Sequence, residues 1–277
     1  HEVVGVDISK EKIDLINAGK SPIVEPGLGE LLAQGIQTGR LRGTTNFAEA
    51  IRDTDLSMIC VGTPSKKNGD LELNYIEAVC REIGAVLRDK TSRHTIVVRS
   101  TVLPGTVKNV VIPILEECSG KKAGVDFGVA VNPEFLREST AIADYDQPPM
   151  TVIGEFDKAS GDVLQSLYEE LDAPIIRKDI EVAEMIKYTC NVWHATKVTF
   201  ANEIGNIAKA CGVDPAFNMP KPQAPTRPGE WLEHSPLLTI LLALLAAGWL
   251  FHEFSTKPAI SAISGLNTYN FLFIMVG

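Results

Sequence analysis

The sequence predicts a doubly wound, parallel α/β sheet followed by a long connecting helix and then an apolar, membrane-type helical tail. Three observations carry this. Short β-branched runs alternate with helical stretches up to about residue 155, the pattern of βαβ units in a parallel sheet. A proline-free helical stretch then runs from Ile180 to Cys211. Finally, of the 26 basic and 35 acidic residues only Lys221, Arg227, Lys257, Glu230, Glu233 and Glu253 follow Asp214, so the whole formal net charge of −9 belongs to the residues before Pro215.

Taken in order, the expected strands are His1–Asp7, Leu56–Val61, Thr95–Arg99 and Gly128–Val131, with a weaker one at Thr151–Ile153. Helices are expected near Lys10–Ala18, Leu73–Arg88 and Val107–Cys118, then another helix at Ser160–Leu171 and a strand at Pro174–Arg177. The long helix has Gly205 as its only interior glycine and Gly212 just past its last turn as a stop signal. Residues 215–235 hold five prolines (215, 220, 222, 225 and 228) and read as a linker. Leu237–Phe251 is a 15-residue run without charge and Ala259–Gly277 a further 19. Both approach the roughly 20 apolar residues that a bilayer span needs, so residues 236–277 are expected to be a hydrophobic segment able to associate with a membrane.

Bulk properties narrow the functions. A hydrophobic fraction of 45% is enough for a real core, and the acidic balance argues against a nucleic-acid reader, which usually carries a basic stripe. Cys60, Cys80, Cys118, Cys190 and Cys211 form an odd set with neither C-x-x-C nor metal-ligand spacing. They read as buried, reduced thiols of a cytoplasmic protein without a metal site. No basic leader followed by an apolar core opens the chain. Its first residues read as an interior strand.

Chemistry is expected at the carboxyl ends of the strands. Asp7 ends the first strand, where a dinucleotide fold places the acidic residue that takes the adenosine ribose; it serves equally well as the N-cap of the following helix. Cys60-Val61-Gly62-Thr63-Pro64 and Arg99-Ser100-Thr101-Val102-Leu103-Pro104-Gly105-Thr106 put hydroxyls and glycines on the same edge. Asn132-Pro133-Glu134-Phe135-Leu136-Arg137-Glu138-Ser139 follows the next strand, with two carboxylates at the spacing of one helical turn or of a solvated helix start. On the long helix, at 100° per residue, Lys187, Asn191, His194 and Asn202 fall within an arc of roughly 80°. Lysine, histidine and two asparagines on one stripe fit a ligand wall better than a solvated face, which favours dense Glu and Lys.

Asn132–Ser139, Met185-Ile186-Lys187-Tyr188-Thr189-Cys190-Asn191-Val192-Trp193-His194-Ala195 and Phe200-Ala201-Asn202-Glu203-Ile204-Gly205 together resemble the UDP-glucose/GDP-mannose dehydrogenase family over about residues 1 to 214. The resemblance implies a Rossmann-like NAD-binding domain over residues 1–155, lacking its first strand and glycine loop. Residues 156–214 would be the rest of that domain and a central helix through which a homodimer forms. It also implies a two-step oxidation of the C6 alcohol of a nucleotide sugar to the acid, through a cysteine-bound thioester, with two NAD consumed. By this likeness Asp7 and Lys12 hold the cofactor's ribose side, with Thr63 and Thr101 along its path. Glu138 acts on the substrate and the hydrolytic water. Lys187 and Asn191 stabilise the oxyanion, and His194 and Asn202 contact the sugar nucleotide.

The sequence departs from the family at about Pro215, and the family's Gly-Gly-Ser-Cys-x-Pro-Lys-Asp segment is absent. Cys190 points about 100° away from Asn191 and reads as core. The expectation is therefore a dehydrogenase by lineage that does not turn over as these 277 residues. Leu237–Gly277, with Ser255-Thr256-Lys257-Pro258 and Leu266-Asn267-Thr268-Tyr269-Asn270-Phe271, resembles a segment of a short-chain fatty acid transporter. The alternative reading is thus a membrane-transport fragment joined to a non-catalytic nucleotide-binding remnant.

Overall fold

The computed structural model describes residues 1–213 and the strand Phe273–Val276. Two compact units divide the chain, residues 1–185 with 264–277 and residues 186–263, and each is described by itself.

The first unit is built on one sheet. Its elements are β1 Val3–Val6, α1 Lys10–Asn17, α2 Leu28–Gln37, β2 Leu41–Thr44, α3 Phe47–Asp53, β3 Leu56–Ile59, α4 Asn74–Leu87, β4 Thr95–Val98, α5 Ile112–Ser119, β5 Gly128–Val131, α6 Ala141–Asp146, β6 Thr151–Glu155, α7 Lys158–Ser166, β7 Ile175–Asp179 and β8 Phe273–Val276, with α8 starting at Ile180. The strand order is β2-β1-β8-β3-β4-β5-β6-β7. β1 pairs with β2, and β3 with β4 and β4 with β5, all in parallel. Strand order therefore reverses between β1 and β3, and right-handed crossovers on the two sides of that point place their helices on opposite faces. Every residue of β3, β4 and β5 is buried, as a sheet covered on both faces requires. Leu56, Met58, Val97, Ala130, Ile153, Leu164 and Tyr168 form one core cluster beneath α7.

Local chemistry explains the boundaries. Ser9, not Asp7, caps α1: its hydroxyl accepts from the Lys12 N–H. Asp157 caps α7 through the Ser160 N–H, so this helix starts at Lys158 and ends earlier than the expected Leu171. The helix expected at Val107–Cys118 opens with a π-helical turn over Val107–Val111. Pro113 lies at its junction with α5 and has no N–H for the carbonyl of Asn109, which favours a local re-registration.

Two expectations are corrected. The sheet is not wholly parallel, because β6 runs antiparallel to β5. The tail is not helical throughout: Phe273–Val276 is a strand, antiparallel to both β1 and β3 and lying between them. Backbone pairing is the physical reason, since a slot between two strands offers N–H and C=O partners that a helix would leave unsatisfied. No helix among the described residues is long and apolar enough to cross a membrane. Leu237–Phe251, the Pro-rich linker and the transporter-like stretch up to Leu272 lie outside the described residues.

α8 runs from Ile180 to Ala210, so the four polar residues of the expected ligand wall share one continuous helix. Gly212, at φ 70°, follows its end as the sequence anticipates.

Candidate functional site at the carboxyl edge of the sheet

Asp7 follows β1 at the point where strand order reverses, the place where open α/β sheets take ligands. Its side chain is 9% exposed. Asp7 Oδ1 accepts from the Ser9 N–H at 2.7 Å, and Oδ2 lies 3.3 Å from Lys12 Nζ. The structure thus joins two of the residues singled out in the sequence. The ion pair leaves lone pairs on a largely buried carboxylate, which suits a pair of ribose hydroxyls.

The next two segments are also brought together. Thr63 Oγ1 donates to the Thr101 carbonyl at 2.7 Å, and Ser100 Oγ donates to the Val61 carbonyl at 2.6 Å. These bonds tie the turn after β3 to the turn after β4. Glu184, from the first turns of α8, holds the same turn from below. Its carboxylate accepts from the Gly105 N–H at 2.6 Å and the Val107 N–H at 3.0 Å, so it caps the helix that follows. Burial pushes the Glu184 carboxyl pKa up, against these bonds. A glutamate within an amphipathic helix carries no sequence signal for such a task, and the sequence reading missed it.

Glu138 lies on an irregular segment, not on the helical turn considered for Asn132–Ser139. α6 starts only at Ala141, because Ser139 sits at φ 67°, a left-handed value that interrupts a right-handed helix. The root of the segment is fixed by Asn132, which is buried. Its Oδ1 accepts from Arg99 Nη1 and from the Tyr168 hydroxyl, and its Nδ2 donates to the Val152 carbonyl at 2.9 Å. Further along, Arg137 donates through its backbone N–H, Nε and Nη2 to Asp144, whose pKa is drawn down to about 2, chiefly by that guanidinium.

Within the second unit Lys187 is buried, while Asn191, His194 and Asn202 are exposed along α8. Trp193 is also exposed, with the Lys197 ammonium 5.6 Å from its ring centre. None of the five cysteines forms a disulfide. Only Cys80 is fully buried, and desolvation pushes its thiol up to about 12. Cys190 is half-buried and also raised by burial, whereas Cys211 is exposed, contrary to the expectation for all five. No group of three or more His, Cys, Asp or Glu able to hold a metal occurs among the described residues.

A strand-edge acid at the switch point, a neighbouring lysine and two joined hydroxyl turns define a dinucleotide-binding α/β domain. Residues 1–172 match the NAD binding domain of the UDP-glucose/GDP-mannose dehydrogenase family and residues 181–217 match its central domain, and the chain belongs to that family. It is 90% identical over 214 residues to GDP-mannose 6-dehydrogenase of Pseudomonas syringae pv. syringae, covering 77% of this chain and 49% of that protein. UDP-glucose 6-dehydrogenase AglM of Haloferax volcanii is 38% identical over 221 residues, covering 78% of this chain and 51% of its own. Among solved structures, a ternary complex of GDP-mannose dehydrogenase from Pseudomonas aeruginosa superposes with a TM-score of 0.77 at 77% identity, covering 78% of this chain and 49% of that one. The chain spans about half the length of the curated relatives it matches.

The residues present fit the adenosine-ribose half of NAD. At the switch point itself, β8 runs antiparallel to its neighbours, so its first residue Phe273 pairs with Val6 beside Asp7. The carboxyl edge there receives the amino end of a strand, not a strand-to-helix turn whose N–H groups could take a pyrophosphate.

Proposed function

We propose that this chain carries the cofactor half of an NAD-dependent nucleotide-sugar 6-dehydrogenase, with GDP-mannose the first substrate to test and UDP-glucose the second. Asp7 at the reversal of strand order, paired with Lys12, is the observation that carries the reading. In this reading Asp7 and Lys12 hold the adenosine ribose, and Thr63 and Thr101 line the way towards the reacting carbon. The bound cofactor supplies the hydride acceptor. Glu138 works on the substrate and its water, Lys187 and Asn191 stabilise charge on the C6 oxygen, and His194 and Asn202 bind the nucleotide sugar. A homodimer through α8 would cover the exposed Trp193, Val198, Phe200, Ile204 and Ile207.

Two restrictions belong to the proposal. With β8 antiparallel in the switch-point slot, no helix among the described residues starts from that slot to meet the pyrophosphate, so NAD should bind weakly. Oxidation as far as the acid needs a thiolate nucleophile, and burial pushes the Cys80 and Cys190 thiols up, away from the thiolate form. Calorimetry with NAD and an NADH assay with both sugars test the proposal. Asp7→Ala should weaken NAD binding at least about tenfold, or 1.4 kcal/mol. Unchanged binding would sink the cofactor placement. The first NADH per sugar needs only the alcohol-to-aldehyde step, so acid and a second NADH from the unaltered chain would show that a thiolate nucleophile is present after all, with Cys190 the first to substitute.

A further inference from the structure

Glu25 lies on the segment between α1 and α2, on the cofactor side of the edge, yet both of its carboxylate oxygens serve a distant part of the chain. Oε2 accepts from the Ser139 N–H at 2.8 Å and Oε1 from the Ala141 N–H at 2.9 Å, across 114 and 116 residues of sequence. Ser139 directly follows Glu138 and is the one non-glycine residue with positive φ among those described. Ala141 opens α6, whose own N-cap Thr140 makes no side-chain capping bond. Glu25 therefore satisfies N–H groups that the helix start would otherwise leave open.

A second contact joins the same two segments. A Cβ on Gly27 would stand 3.3 Å from Ile142 Cδ1, so the backbone after Glu25 packs closely against α6. On its other side Glu138 is flanked by Arg137, locked onto Asp144 by three donors. The segment bearing Glu138 is thus pinned at both ends, and the carboxyl-side pin comes from the part of the molecule that follows the Asp7–Lys12 pair.

We infer that Glu25 is a positioning residue for Glu138: it latches the segment after α1 to the loop that presents the Glu138 carboxylate. The placement rests on the hydrogen bonds alone; its consequence for turnover rests on the reading given under Proposed function. A charged acceptor shared by two N–H groups is stronger than neutral bonds. The left-handed conformation of Ser139 is strained and is kept only where its surroundings fix it.

Hydrogen exchange by mass spectrometry on the full chain tests the inference, with Glu25→Ala, Glu25→Gln and the exposed Glu30→Ala as a control. In Glu25→Ala the amides of Ser139 and Ala141 should exchange about tenfold to a hundredfold faster. Glu25→Gln, which keeps one neutral acceptor, should recover part of the protection, and Glu30→Ala should change nothing. Unchanged exchange at Ser139 and Ala141 in both Glu25 variants overturns the inference, and so does an equal acceleration across the whole domain. In the NADH assay, wherever turnover is found, Glu25→Ala should lower kcat and leave KM for NAD in place. A loss of NAD affinity alone would make Glu25 a cofactor residue and overturn the assignment. If no variant and no unaltered chain forms NADH, the proposed function fails while the exchange result still decides Glu25.

Discussion

Acid should loosen this sheet at its amino edge through one residue, His94. The imidazole is fully buried just before β4. Its Nδ1 lies 2.9 Å from the Thr54 carbonyl and its Nε2 2.7 Å from Ser57 Oγ. A carbonyl only accepts, so Nδ1 carries the hydrogen and Nε2 accepts from the serine hydroxyl. Nearby, Lys90 Nζ donates to the Ile51, Arg52 and Thr54 carbonyls at 2.8, 2.9 and 2.5 Å, closing the end of α3. Desolvation first, and the Lys90 charge second, lower the His94 pKa from 6.5 to about 4. Between those values the unfolded chain binds a proton that the folded one refuses. Stability is therefore full above about pH 6.5, falls as pH drops through the window, and levels below about pH 4. At 1.36 kcal/mol per unit the whole change is about 3 kcal/mol, of which about 2 kcal/mol is lost by about pH 5. That is a large share of the 5–15 kcal/mol typical of a folded domain. Urea unfolding at about pH 7.5 and about pH 5 would measure it. His94→Gln should be less stable at the higher pH and lack this increment of pH dependence. Equal pH dependence in the two proteins would refute the argument, because the carboxylates are common to both.

Two further perturbations test the packing and the backbone. Gly84→Ala would bring a Cβ to 2.6 Å from Cys118 Cβ and 3.3 Å from the Leu115 carbonyl where α4 meets α5, so the urea midpoint should fall by the equivalent of about 1–3 kcal/mol. A midpoint within error of the parent would mean the helices can separate freely. At Ser139, whose φ is 67°, a β-branched Ser139→Val should cost about 1–2 kcal/mol and Ser139→Gly nothing. Thermal unfolding of the pair would decide, and equal transitions would deny the left-handed conformation.

Much of the frame is written in the sequence because its signals are local. The buried strands β3, β4 and β5 appear as β-branched runs, and α4 at Asn74–Leu87 matches the helix read from periodicity at Leu73–Arg88 to within a residue at each end. Asp7, Thr63 and Thr101 could be placed at strand ends because each follows such a run within four residues, and the arc of Lys187, Asn191, His194 and Asn202 because α8 is continuous. Short elements were less legible. α2, β2 and α3 lie among glycines and threonines, where four to ten residues give periodicity too few repeats to stand out. Strand direction was not legible at all, since β6 and β8 carry the same apolar residues whichever way they run, and only their neighbours' N–H and C=O groups choose. Nor could the sequence show that Glu184 caps the turn after β4, or that Glu25 holds the backbone beside Glu138. A carboxylate reads as solvated surface until the chain folds and brings to it N–H groups 77 to 116 residues away. Composition and period determined where the strands and helices form. Long-range hydrogen bonding, which depends on the assembled sheet and not on any stretch of sequence, decided which residues hold the site in place.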